Sequence, residues 1–467
     1  MSNATEPRVW LHVGLGSFHR AHQALYLHML RETGDQEWSL AGGNVRPDMA
    51  ETINALVEQQ GEYTLETISP ANEHNYIRIT SIKEVIPFEP GVKPLIARAA
   101  DPQTKIISFT VTEAGYYLDP KNVLDTEAAD IANDLAAVKE GRAGTTIYGA
   151  LAVMLKARKD ANGGPVTLLC CDNLRHNGDR SRSGLKQFIQ KLGDTDLLAW
   201  VEQNTTSPND MVDRITPRPA PDVAERVLAA TGQVDKAAVM GESFLQWVIE
   251  ENFIAGRPAW EKVGVEMVTS VAAYEEAKIR LLNATHGCVA WAGALIGKQY
   301  IHEDVAAETI RKIAFDYVTN DVIPVLQPSP LDLAKYRDVV LERFSNPYVR
   351  DTNERVAMDG SSKIPGFIAP TIHDRLARNE SIDSVAMLPA LFVAFLKQHF
   401  AGNLKISYTD QLLGEDGIRA ICLADDPVGM LCNNPVLWGN LAGDSRLYTA
   451  VQKAYMRIQD WLAGLRS

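Results

Sequence analysis

At 467 residues the chain exceeds what one compact core sustains, so at least two domains are expected. Its 46% hydrophobic and 22% charged content is that of a soluble globular protein. A formal net charge of −13, with no tract rich in Lys and Arg, argues against nucleic acid or an anionic membrane surface as partner.

The opening "MSNATEPRVW" has neither the basic n-region nor the apolar h-region of a secretory signal. The apolar runs "CVAWAGALIG" and "LPALFVAFL" fall well short of the ~20 residues a membrane helix needs. Five cysteines, two of them adjacent at Cys170 and Cys171, make an odd count without framework spacing. That usage points to reduced thiols and a cytoplasmic location, and no C-x-x-C pair supports structural zinc.

In chain order, "VWLHVG" predicts a first strand and "FHRAHQALYLHML" a helix. "WSLAGGN" predicts a second strand, followed by a helix through "MAETINALVEQQ". "EYTLETIS" and "YIRITSIKEVI" alternate like half-exposed strands, and "KIISFTV" and "PVTLLCC" are short β-rich runs. This alternation predicts an α/β fold with a Rossmann-like, doubly wound sheet. Beyond residue 275 the pattern becomes helical, through "YEEAKIRLLNATHGCVAWAGALIGKQYI" and on to "RLYTAVQKAYMRIQDWLAGL". The expected organisation is a dinucleotide-binding domain over 1–274 and an all-helical substrate and catalytic domain over 275–467. A cleft between the two is the expected place for a ligand.

The turn after the first strand carries Gly14 and Gly16, the first two glycines of a G-x-G-x-x-G loop. The first permits a sharp turn and the second lets backbone approach a pyrophosphate. His19 replaces the third glycine, and Arg20 beside it could pair with a phosphate oxygen. A plain strand-to-helix turn fits these residues equally well. His19, His22 and His28 read as hydrogen-bonding histidines rather than metal ligands, because no Cys, Asp or Glu accompanies them. After the second strand, Asp48 is the acid expected at the ribose of NAD, although Arg46 nearby would suit a 2′-phosphate. Alternatively, Asp48 caps the next helix.

A second polar constellation lies in "KIRLLNATHG". At about 100° per residue, Asn283 falls roughly 140° and His286 roughly 80° from Lys278, so all three share one side of a helix. Such a trio suits alcohol oxidation. A lysine with a lowered pKa takes the hydroxyl proton, an amide donates to the oxygen as charge develops, and an imidazole orients the substrate. Glu275 and Glu276 should then point away. The competing reading is a solvated lysine, a capping Asn and a satisfied core His. Asp172, Asn173 and Asn177 follow a predicted strand on the ligand-binding side of the sheet. Asn209, Asp213 and Arg214 form another polar cluster, in which Asp213 and Arg214 could be a local ion pair.

Taken together, "GLGSFHRAHQA", "TVTEAGYY", "CDNLRHNG", "NDMVDRITP", "GESFLQWVIE", "AKIRLLNATHG" and "DGSSKIP" resemble the mannitol dehydrogenase family of polyol-specific long-chain dehydrogenases over nearly the whole chain. The family pattern G-x-G-x-F-x-R-A-H accounts for the missing third glycine and adds Phe18 to the cofactor loop. The resemblance implies metal-independent oxidation of D-arabinitol to D-xylulose with NAD. It makes Lys278 the general base, with Asn283 and His286 assisting at the reacting oxygen. It puts Asn173 and Asp213 at substrate or proton-transfer positions and Thr112 and Glu113 on a loop facing the cofactor. Arg355 and Lys363 are further substrate candidates. Within the same family the alternatives are oxidation of mannitol to fructose and hexuronate chemistry, which needs a cation for the carboxylate. A catalytically silent NAD-binding protein and a zinc alcohol dehydrogenase are the readings from other classes. A monomer or small homo-oligomer is expected.

Overall fold

The computed structural model describes residues 7–111, 113–119, 121–217 and 221–465. The chain divides into two compact units, Met1–Ser69 with Glu73–Ala272 and Pro70–Asn72 with Ala273–Ser467.

The first unit contains strands β1 (Arg8–Val13), β2 (Trp38–Gly43), β3 (Tyr63–Ile68), β4 (His74–Ile79), β5 (Ile82–Ile86) and β6 (Thr104–Phe109). They are followed by β7 (Val166–Cys170), β8 (Thr205–Thr206), β9 (Asp210–Asp213), β10 (Val239–Glu242), β11 (Gln246–Glu250) and β12 (Glu266–Val268). Six of these form one parallel sheet in the order β5-β2-β1-β6-β7-β8. The order reverses between β1 and β6, the switch point at which doubly wound sheets hold ligands beyond their carboxyl ends. Val13 is level with both Gly43 and Phe109, and Phe109 with Cys170, so these strand ends share one edge.

A parallel sheet covered on both faces needs strands apolar on both sides, and β1 shows why this sequence complies. Val9, Leu11 and Val13 join one core cluster with Ile107, Phe109 and Tyr148. Trp10 points the other way, 5.0 Å from the Trp260 ring and 6.0 Å from Trp247. Two smaller sheets, β10-β3-β4 and β12-β11-β9, complete the β structure of this unit.

Three expectations change in detail. "FHRAHQALYLHML" is two helices, Ser17–Ala21 and Gln23–Glu32, because His22 leaves helical geometry at φ −122°. β3 is buried along its whole length rather than half exposed, since β4 and β10 flank it and core packs on it. "YIRITSIKEVI" splits: β4 runs antiparallel to β3, whereas β5 joins the parallel sheet beside β2.

The second unit is helical. Among its described residues, strand pairing amounts to the single bridge between Tyr300 and Thr352. One continuous helical rod runs through Ala272–Ala277, Lys278–Asn283 and Ala284–Leu295. Its apolar residues pack with the helix Met387–Phe400 in a large core. No helix among the described residues is long and apolar enough to cross a membrane.

Asn177 shows how the ligand-side edge of the sheet is braced. It is fully buried and donates to the carbonyls of Cys170 (3.0 Å) and Asp172 (3.1 Å) and to the Asp210 carboxylate. Its own oxygen accepts from Gly178 N (2.8 Å) and Asp210 N (2.9 Å). Asn177→Ala orphans several buried groups at once, so unfolding should become easier by ~2–4 kcal/mol. The urea midpoint measures this, and an unchanged midpoint would show the brace to be dispensable.

Candidate functional site

The cofactor-loop candidates sit where β1 ends. Gly14 has φ +109°, and a Cβ there would lie 2.5 Å from Thr110 O, so both backbone and packing demand glycine. Gly16 differs: its φ is −74°, and a Cβ would meet only Gly14 O, at 3.9 Å. The protein's own packing does not require glycine there, which leaves open space against the backbone. Leu15 N donates to Asn44 Oδ1 at 2.8 Å, tying the turn to the residue that follows β2.

Behind the loop lies a buried polar chain. Trp10 Nε1 donates to Ser108 Oγ (2.6 Å), which is 2.7 Å from His12 Nδ1. His12 Nε2 lies 3.1 Å from Gly14 O. Burial takes the His12 imidazole down to about 3, so the ring is neutral. The serine hydroxyl then donates to Nδ1, and Nε2–H donates to the Gly14 carbonyl. His19 stacks on His12 at 3.4 Å and is also held neutral by burial. His22 Nε2 reaches Gln246 O at 2.9 Å. Among the described residues, no group of three or more His, Cys, Asp or Glu side chains is placed to hold a metal.

Arg20 requires a correction. Its guanidinium is buried, donates to the Ala237 carbonyl and lies 5.5 Å from the Tyr63 ring. It faces the interior beside β3 and β10 rather than a phosphate, because Tyr63 and the Ala237 carbonyl supply its partners inside the core. Phe18 is half buried and stacks on His22 at 5.0 Å. Asp48 is exposed on the short turn Pro47–Met49, while the next helix begins from Met49 without a side-chain cap. The capping alternative for Asp48 therefore fails. Arg46 is also exposed, and its Nε donates to Thr145 O at 3.0 Å.

Thr112 lies outside the described residues, as does the side chain of Glu113, whose backbone opens the turn Glu113–Tyr116. Asp172 anchors this loop by accepting from Val111 N (2.9 Å) and from the Tyr116 hydroxyl. Asn173, next in sequence, is exposed, and Asp213 is buried at the end of β9 opposite Gln246. Arg214 directs its guanidinium to the carbonyls of Glu242 (2.9 and 2.6 Å) and Ala21. Asn209 bridges Asp179 and Glu250 at 3.0 and 3.1 Å.

In the second unit, Lys278 opens a π-helical stretch, Lys278–Asn283, within the continuous rod. Its side chain is buried, with 6% exposure. The hydrogen bonds here reach five residues instead of four, as in Ala284 N to Ile279 O. Asn283 is therefore brought one turn above Lys278 instead of about 140° around the rod. The widened turn leaves carbonyls without α-helical partners, and the Tyr317 hydroxyl takes that of Arg280 at 2.9 Å. Arg280 also draws Glu276 aside (2.6 Å) and pairs with Asp374 (2.6 Å). Glu275, in contrast, is buried.

One turn on, the His286 ring stacks on Phe344 at 4.6 Å, and its Nε2 lies 3.1 Å from Asp351 Oδ2. Asp351 also accepts from Arg355, Nε to Oδ1 at 2.7 Å and Nη2 to Oδ2 at 2.6 Å. Lys363 packs over Gly287, where an added Cβ would lie 3.1 Å from its Cδ, and its ammonium donates to the Met358 carbonyl. Asp410 secures the turn that carries Lys363, accepting from Ser361 N (2.9 Å), the Ser361 hydroxyl and the Tyr408 hydroxyl (2.6 Å). The structure thus gathers His286 and Arg355 at Asp351 and lays Lys363 over the neighbouring Gly287, with Asn283 on the preceding turn of the same rod and Lys278 on the turn before that.

Asp351, Asp410, Tyr408 and Asn44 escaped the sequence reading. Only Asp351 leaves a local trace, an acid four residues before Arg355. Burial brings the Lys363 ammonium down to about 8, with Asp359 and Asp410 opposing the drop. The folded state then binds this proton less well than the unfolded chain, whose lysine titrates near its ordinary 10.5. Between those values stability must rise with pH, by on the order of 3 kcal/mol at most from this group. Comparing denaturation of the wild type and Lys363→Met from pH 7 to pH 11 isolates the contribution. Parallel pH curves would refute it.

Comparison with known proteins matches the chain to two family models: the mannitol dehydrogenase Rossmann domain over residues 8–262 and the mannitol dehydrogenase C-terminal domain over residues 270–459. The chain is 52% identical to a D-arabinitol 4-dehydrogenase of Ralstonia nicotianae, across 100% of this chain and 99% of the relative. It is also 52% identical to a D-arabinitol 4-dehydrogenase of Klebsiella pneumoniae, across 93% of this chain and 95% of that one. Among solved structures it resembles a Pseudomonas fluorescens mannitol 2-dehydrogenase in ternary complex with NAD and D-mannitol. The TM-score is 0.84 at 31% identity, covering 99% of this chain and 94% of that one. With both halves matched in order and the relatives aligned end to end, the chain belongs to the mannitol dehydrogenase family.

Proposed function

We propose that the protein is an NAD-dependent polyol dehydrogenase that oxidises D-arabinitol to D-xylulose without a metal. The observation that carries this reading is the buried amine of Lys278 at the start of a widened turn that also presents Asn283. Full-length identity to two proteins named D-arabinitol 4-dehydrogenase supports the choice of substrate. In this reading residues 1–274 form the dinucleotide-binding domain and residues 275–467 the substrate and catalytic domain.

The residues after β1 fit NAD. Gly14 makes a turn no side chain could follow, and Gly16 leaves its backbone open to a pyrophosphate. Asp48 offers an exposed carboxylate to the ribose hydroxyls, which favours NAD over NADP. Phe18 lies alongside the loop, and Thr112 and Glu113 are assigned to the cofactor side. NAD held there would supply the hydride acceptor for the substrate's carbinol carbon.

The chain's own groups handle the proton and the developing charge. Lys278, as the neutral amine, accepts the hydroxyl proton. The Asn283 amide donates to the same oxygen as negative charge gathers there. His286 orients a substrate hydroxyl, while Asn173, Asp213, Arg355 and Lys363 contribute to holding the polyol. Arg355 is engaged twice by Asp351, so it is not a free cation for a uronate carboxylate. This favours a neutral polyol over a hexuronate. We place the enzyme in the cytoplasm as a monomer or small homo-oligomer, with neither nucleic acid nor membrane as partner.

A panel of D-arabinitol, D-mannitol and hexuronates tests the reading. NADH should form fastest from D-arabinitol at alkaline pH and be unaffected by EDTA; faster turnover of a hexitol or uronate would overturn the substrate assignment. Lys278→Ala should lower kcat by about 10²–10⁴-fold while NADH still binds, and retained turnover would remove the base assignment. Because nothing in the protein crowds Gly16, Gly16→Val should leave the melting temperature unchanged yet raise the Kd for NADH at least ~10-fold. Unaltered NADH affinity would separate this loop from the cofactor.

A further inference from the structure

Asp351 belongs to neither the sequence-derived site nor the proton chemistry above, yet three groups converge on it. Its side chain is 8% exposed and meets His286 Nε2 and both arms of the Arg355 fork. Its backbone is pinned as well. Ile301 N donates to Asp351 O at 3.0 Å, and Asn353 N donates to Gln299 O at 2.9 Å. The Asn353 amide donates to Lys298 O and to the buried Asp304 carboxyl, both at 3.1 Å. A carboxylate held this firmly on both backbone and side chain orients whatever it touches.

We infer that Asp351 is a positioning residue that fixes His286 as a hydrogen-bond acceptor, so that the site reads a substrate hydroxyl adjacent to the reacting carbinol. This rests on the polyol dehydrogenase reading and sharpens the role of His286 within it.

The argument is one of donors and acceptors. Burial raises the Asp351 carboxyl, but the Arg355 hydrogen bonds and the His286 ring 3.1 Å away outweigh it and hold the group below the usual carboxylate range. An ionised carboxylate only accepts, so the proton between the two groups sits on His286 Nε2. Burial lowers the His286 pKa against the pull of Asp351, and the nearby charges of Arg355 and Lys363 lower it further, so the ring carries one proton. Nδ1 is then a bare lone pair. No other hydrogen bond reaches the ring among the described residues, and Phe344 stacked on its face prevents rotation. A bare nitrogen cannot donate to an oxygen gaining negative charge, which leaves that task to Asn283. It can accept from a hydroxyl, and a neighbouring carbinol of a polyol supplies one.

In Asp351→Asn, Arg355 keeps the single acceptor oxygen and the amide NH₂ faces His286, so the ring proton should move to Nδ1. Nitrogen-15 spectra of histidine-labelled enzyme, with the His286 signals assigned by their loss in His286→Gln, distinguish a bare from a protonated nitrogen. The wild type should show protonated Nε2 and bare Nδ1, and Asp351→Asn the reverse. A wild-type ring protonated on Nδ1 would overturn the inference. In kinetics, Asp351→Asn should lower kcat/KM for D-arabinitol about 10–100-fold at unchanged NADH affinity. Wild-type enzyme should lose a similar factor on a deoxypentitol lacking the hydroxyl beside the reacting carbon, and the variant should discriminate between the two substrates less than ~3-fold. Full discrimination by the variant would also overturn the inference. If the wild type oxidises no polyol, the dehydrogenase reading fails, while the tautomer spectra still decide the role of Asp351. If Asp351→Asn does not fold, the wild-type spectrum and the deoxypentitol comparison decide it.

Discussion

The chemistry proposed for the helical unit depends on a helix that closes its turn five residues on. An α-helix would set Asn283 well around the rod from Lys278, whereas the π-helical stretch raises it to the turn directly above. Such a turn strains the backbone ladder and opens carbonyls, and it persists because neighbours compensate. Tyr317 satisfies the Arg280 carbonyl, Arg280 is locked by Glu276 and Asp374, and the apolar residues on either side are packed into a dense core. Lys278 is buried within the same rod, while Asn283 and His286 keep partial exposure.

A comparable logic operates in the α/β unit, where a tight turn is maintained by groups beneath it. Gly14 adopts a conformation closed to other residues and presses against Thr110. The chain from Trp10 through Ser108 and His12 ends on the Gly14 carbonyl, and Asn44 holds the next amide. Because burial keeps His12 and His19 neutral, these rings act as hydrogen-bonding spacers rather than charges, consistent with their contact at 3.4 Å. Histidines in a loop of this kind read more naturally as its foundation than as ligands.

Carboxylates recur as organisers in both units. Asp172 gathers the loop after β6, Asp410 the turn bearing Lys363, and Asp351 the His286 and Arg355 side chains. Each accepts several hydrogen bonds and is largely removed from solvent, so its energetic weight lies in the groups it would leave unpaired. None of these three carboxylates is among the groups proposed to take the proton or to donate to the reacting oxygen.

From the sequence alone came four strands of the parallel sheet, β1, β2, β6 and β7, the helical character of the second half, the Gly14–Gly16 turn and the Lys278, Asn283 and His286 trio. These are local signals. Runs of apolar residues, a glycine after a strand and polar residues spaced along an apolar helix each report on a few neighbouring positions. Tertiary structure decided the rest. It turned Arg20 into the core, because the carbonyl that receives it, that of Ala237 just before β10, lies far along the chain. It separated β4 from β5, because strand partners are chosen by packing rather than by alternation. It widened the helix at Lys278 where an α-period assumes regularity. It brought Asp351 to His286 across a stretch of chain that carries no periodic link between them, since a side-chain contact between distant segments exists only once the helices bearing them have packed.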